Sequence, residues 1–175
     1  MANDDLQRLR DSAIADPDVP SVVRDMLRAG ARLDELRLSA FGQWLYNGVP
    51  VEHPRVRALF SRSLTRTTAG TWVLSVPPYT YPVIVDDAPQ FVFRIRGAQP
   101  EGLMGTDEWH VLDLNTLETD GDAYLGVRVD GAPARLVGPA YQDLLDHVDQ
   151  GADGWFVQWG DRRIGIAPRT QTARG

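Results

Sequence analysis

The residues able to do chemistry are few. The chain of 175 residues has no cysteine and three histidines, His53, His110 and His147. Without cysteine there is no disulfide framework, thiolate zinc site, iron–sulfur cluster or cysteine nucleophile. No two histidines stand at the i, i+4 spacing of a helical metal site, so no metal is expected. Asp120-Gly121-Asp122 has the look of a calcium-loop fragment, but the loop's later glycine and its terminal glutamate are missing, and a hairpin turn is expected. Ser61 and Ser63 fall on a helix with no nucleophile-elbow motif, and Gly154 heads no phosphate loop. Asp86 and Asp87 are adjacent, so on a strand they face opposite ways and do not form an acid–base pair. Asp87 is expected to brace the Ala88-Pro89 turn, leaving Asp86 as a ligand or cation contact. His53 precedes Pro54 and reads as a turn or capping residue. No catalytic signature emerges, and no catalytic residue or cofactor is assigned.

The arginines carry more information. Lys and Arg together number 18 against 24 acidic residues, for a net charge of -6, and every one of the basic residues is arginine. Codon bias accounts for most of this preference, yet a guanidinium also forks onto phosphate or carboxylate in a way that an ammonium does not. Arg55 and Arg57 open a helix whose amides also favour an anion. Arg94 and Arg96, two residues apart, share one face of a strand. Arg128 and Arg135 flank a second turn and are weaker candidates. Among the aromatic residues, Trp72 and Trp155 are assigned to the core, whereas Tyr79 lies in a proline-flanked loop where it can stack on a ligand. The ligand-binding set is therefore Arg55, Arg57, Tyr79, Asp86, Arg94 and Arg96. An acidic chain without a basic cluster is a poor nucleic-acid binder. No apolar run approaches the ~20 residues of a membrane span, and no apolar export segment follows the polar N-terminus, so a cytoplasmic protein is expected.

These side chains need elements to position them. Leu6, Leu9, Ala13 and Ile14 predict a helix over 4–15, with Asn3 or Asp4 as its cap. Ser21 opens a second helical stretch carrying Val22, Val23, Met26, Leu27 and Leu33, weakened at Gly30. This amphipathic arm packs on the rest of the chain or on a partner subunit, which leaves a homo-oligomer open. Strands are expected at 36–39, 43–46 and 49–51, with Asn47-Gly48 as a hairpin turn. Pro54 begins a helix with Val56, Leu59, Phe60 and Leu64 on one face. A strand at 71–75, a rigid break at Pro77-Pro78, and strands at 83–85 and 90–96 follow. Residues 97–107 read as a loop, with strands at 108–114, 123–129 and 132–137 after it. A helix from Pro139 is expected to run through Val148 and stop near Gly151. A hairpin of 155–159 and 163–166 turns at Gly160-Asp161, and a frayed tail begins at Pro168.

Two segments share one plan. Asn47-Gly48-Val49-Pro50 leads to Pro54, a helix, Gly70 and Trp72; Asp130-Gly131-Ala132-Pro133 leads to Pro139, a helix, Gly154 and Trp155. The fold class is therefore α+β, with two small similar halves, each a few-stranded antiparallel sheet with one helix, and an N-terminal helical arm. The expected organisation is an arm at 1–33, a first half at 34–96, a variable connection at 97–122, a second half at 123–167 and a tail at 168–175. Two such halves leave a cleft between them, a common place for ligands.

The sequence also resembles the bacterial domain of unknown function 1285 family. The resemblance rests on Gly42-Gln43-Trp44-Leu45-Tyr46, Gly48-Val49-Pro50-Val51, Arg55-Val56-Arg57-Ala58-Leu59-Phe60 and Val85-Asp86-Asp87-Ala88-Pro89. Towards the C-terminus it includes Val127–Gly131, Tyr141-Gln142-Asp143-Leu144 and Asp153-Gly154-Trp155-Phe156. It covers about residues 35–96 and 123–166 and implies two similar α+β halves, a nucleotide-like ligand between them and a signalling role. It implies no activity. Where the family has Thr-Pro-Val-Glu-Lys, this chain has Val76-Pro77-Pro78-Tyr79-Thr80, so both charged members are missing, and 97–122 lacks the family's polar motif. The functional expectation is a non-enzymatic small-molecule-binding module for an anionic ligand. The alternatives are a protein-interaction module using the N-terminal arm and an enzyme using Asp86 or Asp87 with His53.

Overall fold

The structure is a computed structural model in which residues 2–169 are described, with side chains from Asp4 onward. The chain divides into two compact units, Met1–Asp87 and Ala88–Gly175.

The first unit begins with α1 (Ala2–Ala15) and α2 (Ser21–Arg28). The chain is already helical at Ala2, so Asn3 and Asp4 lie within the first turn of α1 instead of capping it. Leu9 and Ala13 of α1, Leu27 of α2 and Leu33 beyond it are buried with Val19 and Val73. The arm therefore packs on its own unit. Gly30, at φ 86°, ends the helical stretch. β1 (Leu36–Leu38), β2 (Trp44–Tyr46) and β3 (Val49–Pro50) form an antiparallel meander. Asn47 and Gly48 turn its second hairpin at φ 47° and 78°, the left-handed pair that a two-residue turn of this type needs. α3 (Pro54–Ser63) starts on proline as expected. A second meander follows, of β4 (Leu64–Arg66), β5 (Trp72–Val76) and β6 (Tyr79–Pro82), and β7 (Ile84–Val85) then pairs parallel with β1.

β4 and β6 were not expected from the sequence. Pro77-Pro78 is the turn of the β5–β6 hairpin, with Val76 opposite Tyr79, and not a break in the chain. Tyr79 consequently lies on a strand and not in an irregular loop.

The second unit contains β8 (Gln90–Arg96), β9 (Glu101–Met104), β10 (Trp109–Thr119), β11 (Leu125–Val129) and β12 (Ala132–Leu136). Each pairs with the next, and β12 closes on β8 in parallel to complete a barrel. The structure thus places Gln90–Arg96 and the 97–122 segment with the second half, because the parallel partner of β8 is β12, remote in the chain. β9 replaces part of the expected loop. Its Gly102, a loop signal in the sequence, is there for packing: a Cβ would come within 2.7 Å of both Leu112 and Val92.

α4 (Pro139–Leu145) ends sooner than expected, since Val148–Gly151 forms β13 against β14 (Gly154–Trp159). Gly151 is therefore a strand residue and not a helix cap, and His147 lies beyond the helix. β15 (Arg162–Gly165) completes the meander, and β16 (Ala167–Pro168) pairs parallel with β10. Leu114, Leu117, Leu125, Leu136, Leu144 and Val157 are central to the core of this unit.

The internal repeat is deeper than the sequence suggested. Three antiparallel strands, a proline-started helix, a three-stranded meander and a parallel return strand recur in the same order. The first copy orders its sheet β3-β2-β1-β7; the second gives β12-β11-β10-β16, with β8 and β9 added to close the barrel. Single hydrogen bonds also recur. Val83 N–H donates to the Trp72 carbonyl as Ile166 N–H does to Trp155, and Asp86 N–H to Leu38 as Arg169 N–H does to Thr119. Asp130 and Gly131, at φ 50° and 80°, repeat the turn of Asn47 and Gly48.

Leu144 of α4 is fully buried within the second core. Its replacement by alanine is expected to cost about 2–5 kcal/mol, read as a lower urea midpoint with an unchanged slope.

Candidate functional site

The six expected ligand residues divide between the units. Arg55 and Arg57 are exposed on the first turn of α3. His53 stands at the N-cap in extended conformation without a side-chain cap bond, Pro54 follows, and the first turn contains no acidic residue. The His53 carbonyl accepts from Val56 N–H and Arg57 N–H, each at 3.1 Å. The positive end of the α3 dipole thus lies beside two guanidinium groups. Tyr79 is 75% exposed at the start of β6. Arg94 and Arg96 are exposed on one face of β8. Arg96 donates to Glu101 at 2.9 Å and sits 3.9 Å above the centre of the Trp109 ring.

Asp86 has an assignment that the sequence did not reveal. Arg37 of β1 donates to it at 2.5 Å, to Glu35 at 2.9 Å and to Asp5 of α1 at 3.1 Å. The Arg37 side chain is 15% exposed. One guanidinium therefore ties the arm to β1 and to the end of β7. Burial opposes its charge, but the three carboxylates outweigh this and hold it firmly protonated. The hydrogen bond from Arg37 in turn draws the Asp5 carboxyl below its ordinary range. Arg37 escaped sequence analysis because Asp5 and Asp86 are remote in the chain; the one local hint was a charged residue between Leu36 and Leu38 on a short strand.

Asp16 is a second concealed carboxylate, 2% exposed just after α1. Burial raises its pKa, yet the Thr67 hydroxyl at 2.6 Å and the Asp18 N–H at 2.9 Å, with Thr71, bring the balance below the ordinary value. These bonds fasten the end of the arm to the β4–β5 hairpin.

Other candidates proved structural. Ser61 accepts the Trp44 indole N–H at 3.1 Å. Asp120 accepts from the N–H groups of Asp122 and Tyr124, so Asp120-Gly121-Asp122 is a turn as expected. His110 pairs with Asp130 at 2.8 Å. Trp155, assigned to the core from sequence, is 52% exposed, since its strand pairs within a small meander whose outer part meets solvent. Among the described residues no group of three His, Cys, Asp or Glu side chains is arranged to hold a metal, and no helix is long and apolar enough to cross a membrane.

The fold and these side chains define a duplicated α+β protein with exposed cationic positions on both units and a polar tether inside the first. A crystal structure of a DUF1285 family protein from Shewanella baltica matches with a TM-score of 0.51 at 19% identity, covering 65% of this chain and 91% of that one. One from Silicibacter pomeroyi matches with a TM-score of 0.57 at 18% identity, covering 77% and 80% respectively. The chain has the fold of these DUF1285 proteins, in agreement with the resemblance in its sequence. No family model matches it, and neither does any curated protein.

Two predictions follow from the polar tethers. Arg37→Met leaves three carboxylates clustered without their cation and is expected to cost about 2–3 kcal/mol, below the figure for a fully buried pair, measured by denaturant unfolding. Asp5 and Asp16 both titrate lower folded than unfolded. Their contribution is thus complete above the unfolded value of about 4 and is lost as pH falls through the folded values. Unfolding free energy measured from about pH 5 downward should decline, and Asp16→Asn should flatten that decline; an unchanged slope would count against the assignment.

Proposed function

We propose that this protein is a non-enzymatic, cytoplasmic module that binds an anionic, nucleotide-like small molecule and serves in signalling. The observation that carries the reading is the first turn of α3, uncapped by a side chain, free of acidic residues and bearing exposed Arg55 and Arg57. With Pro54 lacking an N–H and those of Val56 and Arg57 given to the His53 carbonyl, recognition rests on the two guanidinium forks and the positive end of the helix dipole. The resemblance to the DUF1285 family supplies the ligand class. Tyr79, exposed on β6, offers a stacking surface, while Asp86 is committed to Arg37 and contributes through the tether. That commitment takes Asp86 out of the enzyme alternative and leaves it resting on Asp87 with His53.

A second reading has one observation of its own. Val22 and Met26, one helical turn apart on α2, are 63% and 57% exposed while Leu27 is buried. They would serve an interaction module whose partner is a second copy of the chain.

Thermal unfolding in the presence of inorganic phosphate and a panel of nucleotides separates the readings. A ligand at a hundred times its dissociation constant should stabilise the protein by about 2.7 kcal/mol, and Arg55→Ala/Arg57→Ala should abolish the gain without lowering the stability of the free protein. Absence of stabilisation by every anion, or equal stabilisation of the variant, would overturn the ligand reading. A monomer mass that Val22→Ser/Met26→Ser leaves unchanged would remove the second.

A further inference from the structure

The two return strands end at equivalent ionic positions whose charges are reversed. In the first half Arg37 lies opposite Ile84, Leu38 lies opposite Val85, and Asp86 comes next. In the second, Glu118 lies opposite Ala167, Thr119 lies opposite Pro168, and Arg169 comes next. The residue after each return strand donates its N–H to the opening strand, Asp86 to Leu38 at 3.0 Å and Arg169 to Thr119 at 2.7 Å. Arg37 on the opening strand is thus matched by Glu118, and Asp86 after the return strand by Arg169.

Both positions are linked within their own half. Arg37 donates directly to Asp86 at 2.5 Å. The second link runs through Tyr124, whose hydroxyl donates to Glu118 at 3.0 Å and whose ring lies 3.6 Å beneath the Arg169 guanidinium. The Tyr124 ring occupies the space where a side chain at Gly126 would stand.

A chain that carries one topology twice faces a particular hazard: β7 can close on β10, or β16 on β1, within one chain or between copies. Backbone pairing gives little discrimination, because each return strand contributes two residues. Charge does discriminate. On β10, β7 would bring Asp86 to Glu118; on β1, β16 would bring Arg169 to Arg37. Both exchanged closures set like charges together, whereas the native ones join Arg37 to Asp86 and hold Arg169 among acidic groups, Glu118 through Tyr124 and Asp120 by charge.

We propose that this reversed polarity is a strand-identity lock, which commits each return strand to the opening strand of its own half.

The absence of cysteine makes the lock testable, since introduced thiols are the only ones present. Leu38→Cys/Val85→Cys reports native closure and Thr119→Cys/Val85→Cys reports exchange, each placed in the full chain and refolded from denaturant under oxidising conditions. With native charges the first pair should cross-link and the second should not. Adding Asp86→Arg/Arg169→Asp makes both native closures repulsive and both exchanged ones attractive, and should raise the exchange cross-link roughly five-fold or more. Glu118→Arg/Asp120→Asn/Arg169→Glu guards against a folding failure: with the charge of Asp120 removed from beside position 169 and its acceptor oxygen kept, an attractive pair remains in each half while exchange becomes attractive too. It should also raise the exchange cross-link. A rise in either charge background supports the lock, and an exchange yield equal to that with native charges in both overturns it.

Discussion

Each half of this protein is organised by one pairing, that of its last strand parallel to its first. Two parallel neighbours cannot be joined by a tight turn, so the chain must leave the sheet and come back through a crossover. Here the crossover is long and contains a hairpin, a helix and a three-stranded meander. The order of the elements in Leu36–Val85 and in Trp109–Pro168 follows from that requirement. The second half meets it and adds β8 and β9, so that its sheet closes on itself and leaves no open edge within the barrel.

Polar contacts fasten what this topology brings together. A short return strand offers few backbone bonds, and both halves supplement them with side chains at the same place. Arginine suits this work better than lysine. Arg37 reaches three carboxylates at once, which needs several donors fanned in one plane. Arg96, Arg163 and Arg169 lie within 3.9, 3.8 and 3.6 Å of ring centres at Trp109, Phe156 and Tyr124, where a flat cation stacks well. Several of the arginines in this chain are thus put to uses that a lysine would fill poorly.

Local chemistry made much of the fold legible. Asn47-Gly48 and Asp130-Gly131 require left-handed backbone, and proline at 54 and 139 marks helix starts, so the two copies could be recognised from turns and caps alone. The misreadings concern glycine and proline in strands. Gly102 and Gly151 resembled loop and cap signals, yet both are sheet residues, at Gly102 because neighbouring side chains fill the space where a Cβ would be. Pro77-Pro78 resembled a rigid break and is a hairpin turn. Of the candidate site, Arg55, Arg57, Arg94 and Arg96 were legible as exposed cations, whereas the partner of Asp86 was not, since no local pattern links residues 37 and 86.

The sequence by itself determined the fold class, the duplicated plan and the start of each repeat helix, because turns, caps and hydrophobic spacing act over a few residues. Only the tertiary structure decided which strands return in parallel, that β8 belongs to the second half, and that Asp5, Glu35 and Asp86 converge on Arg37. Apart from Glu35, two residues before Arg37, these are contacts between residues remote in the chain, and the physical signal that fixes them is burial and charge pairing, which exists only once the strands have met.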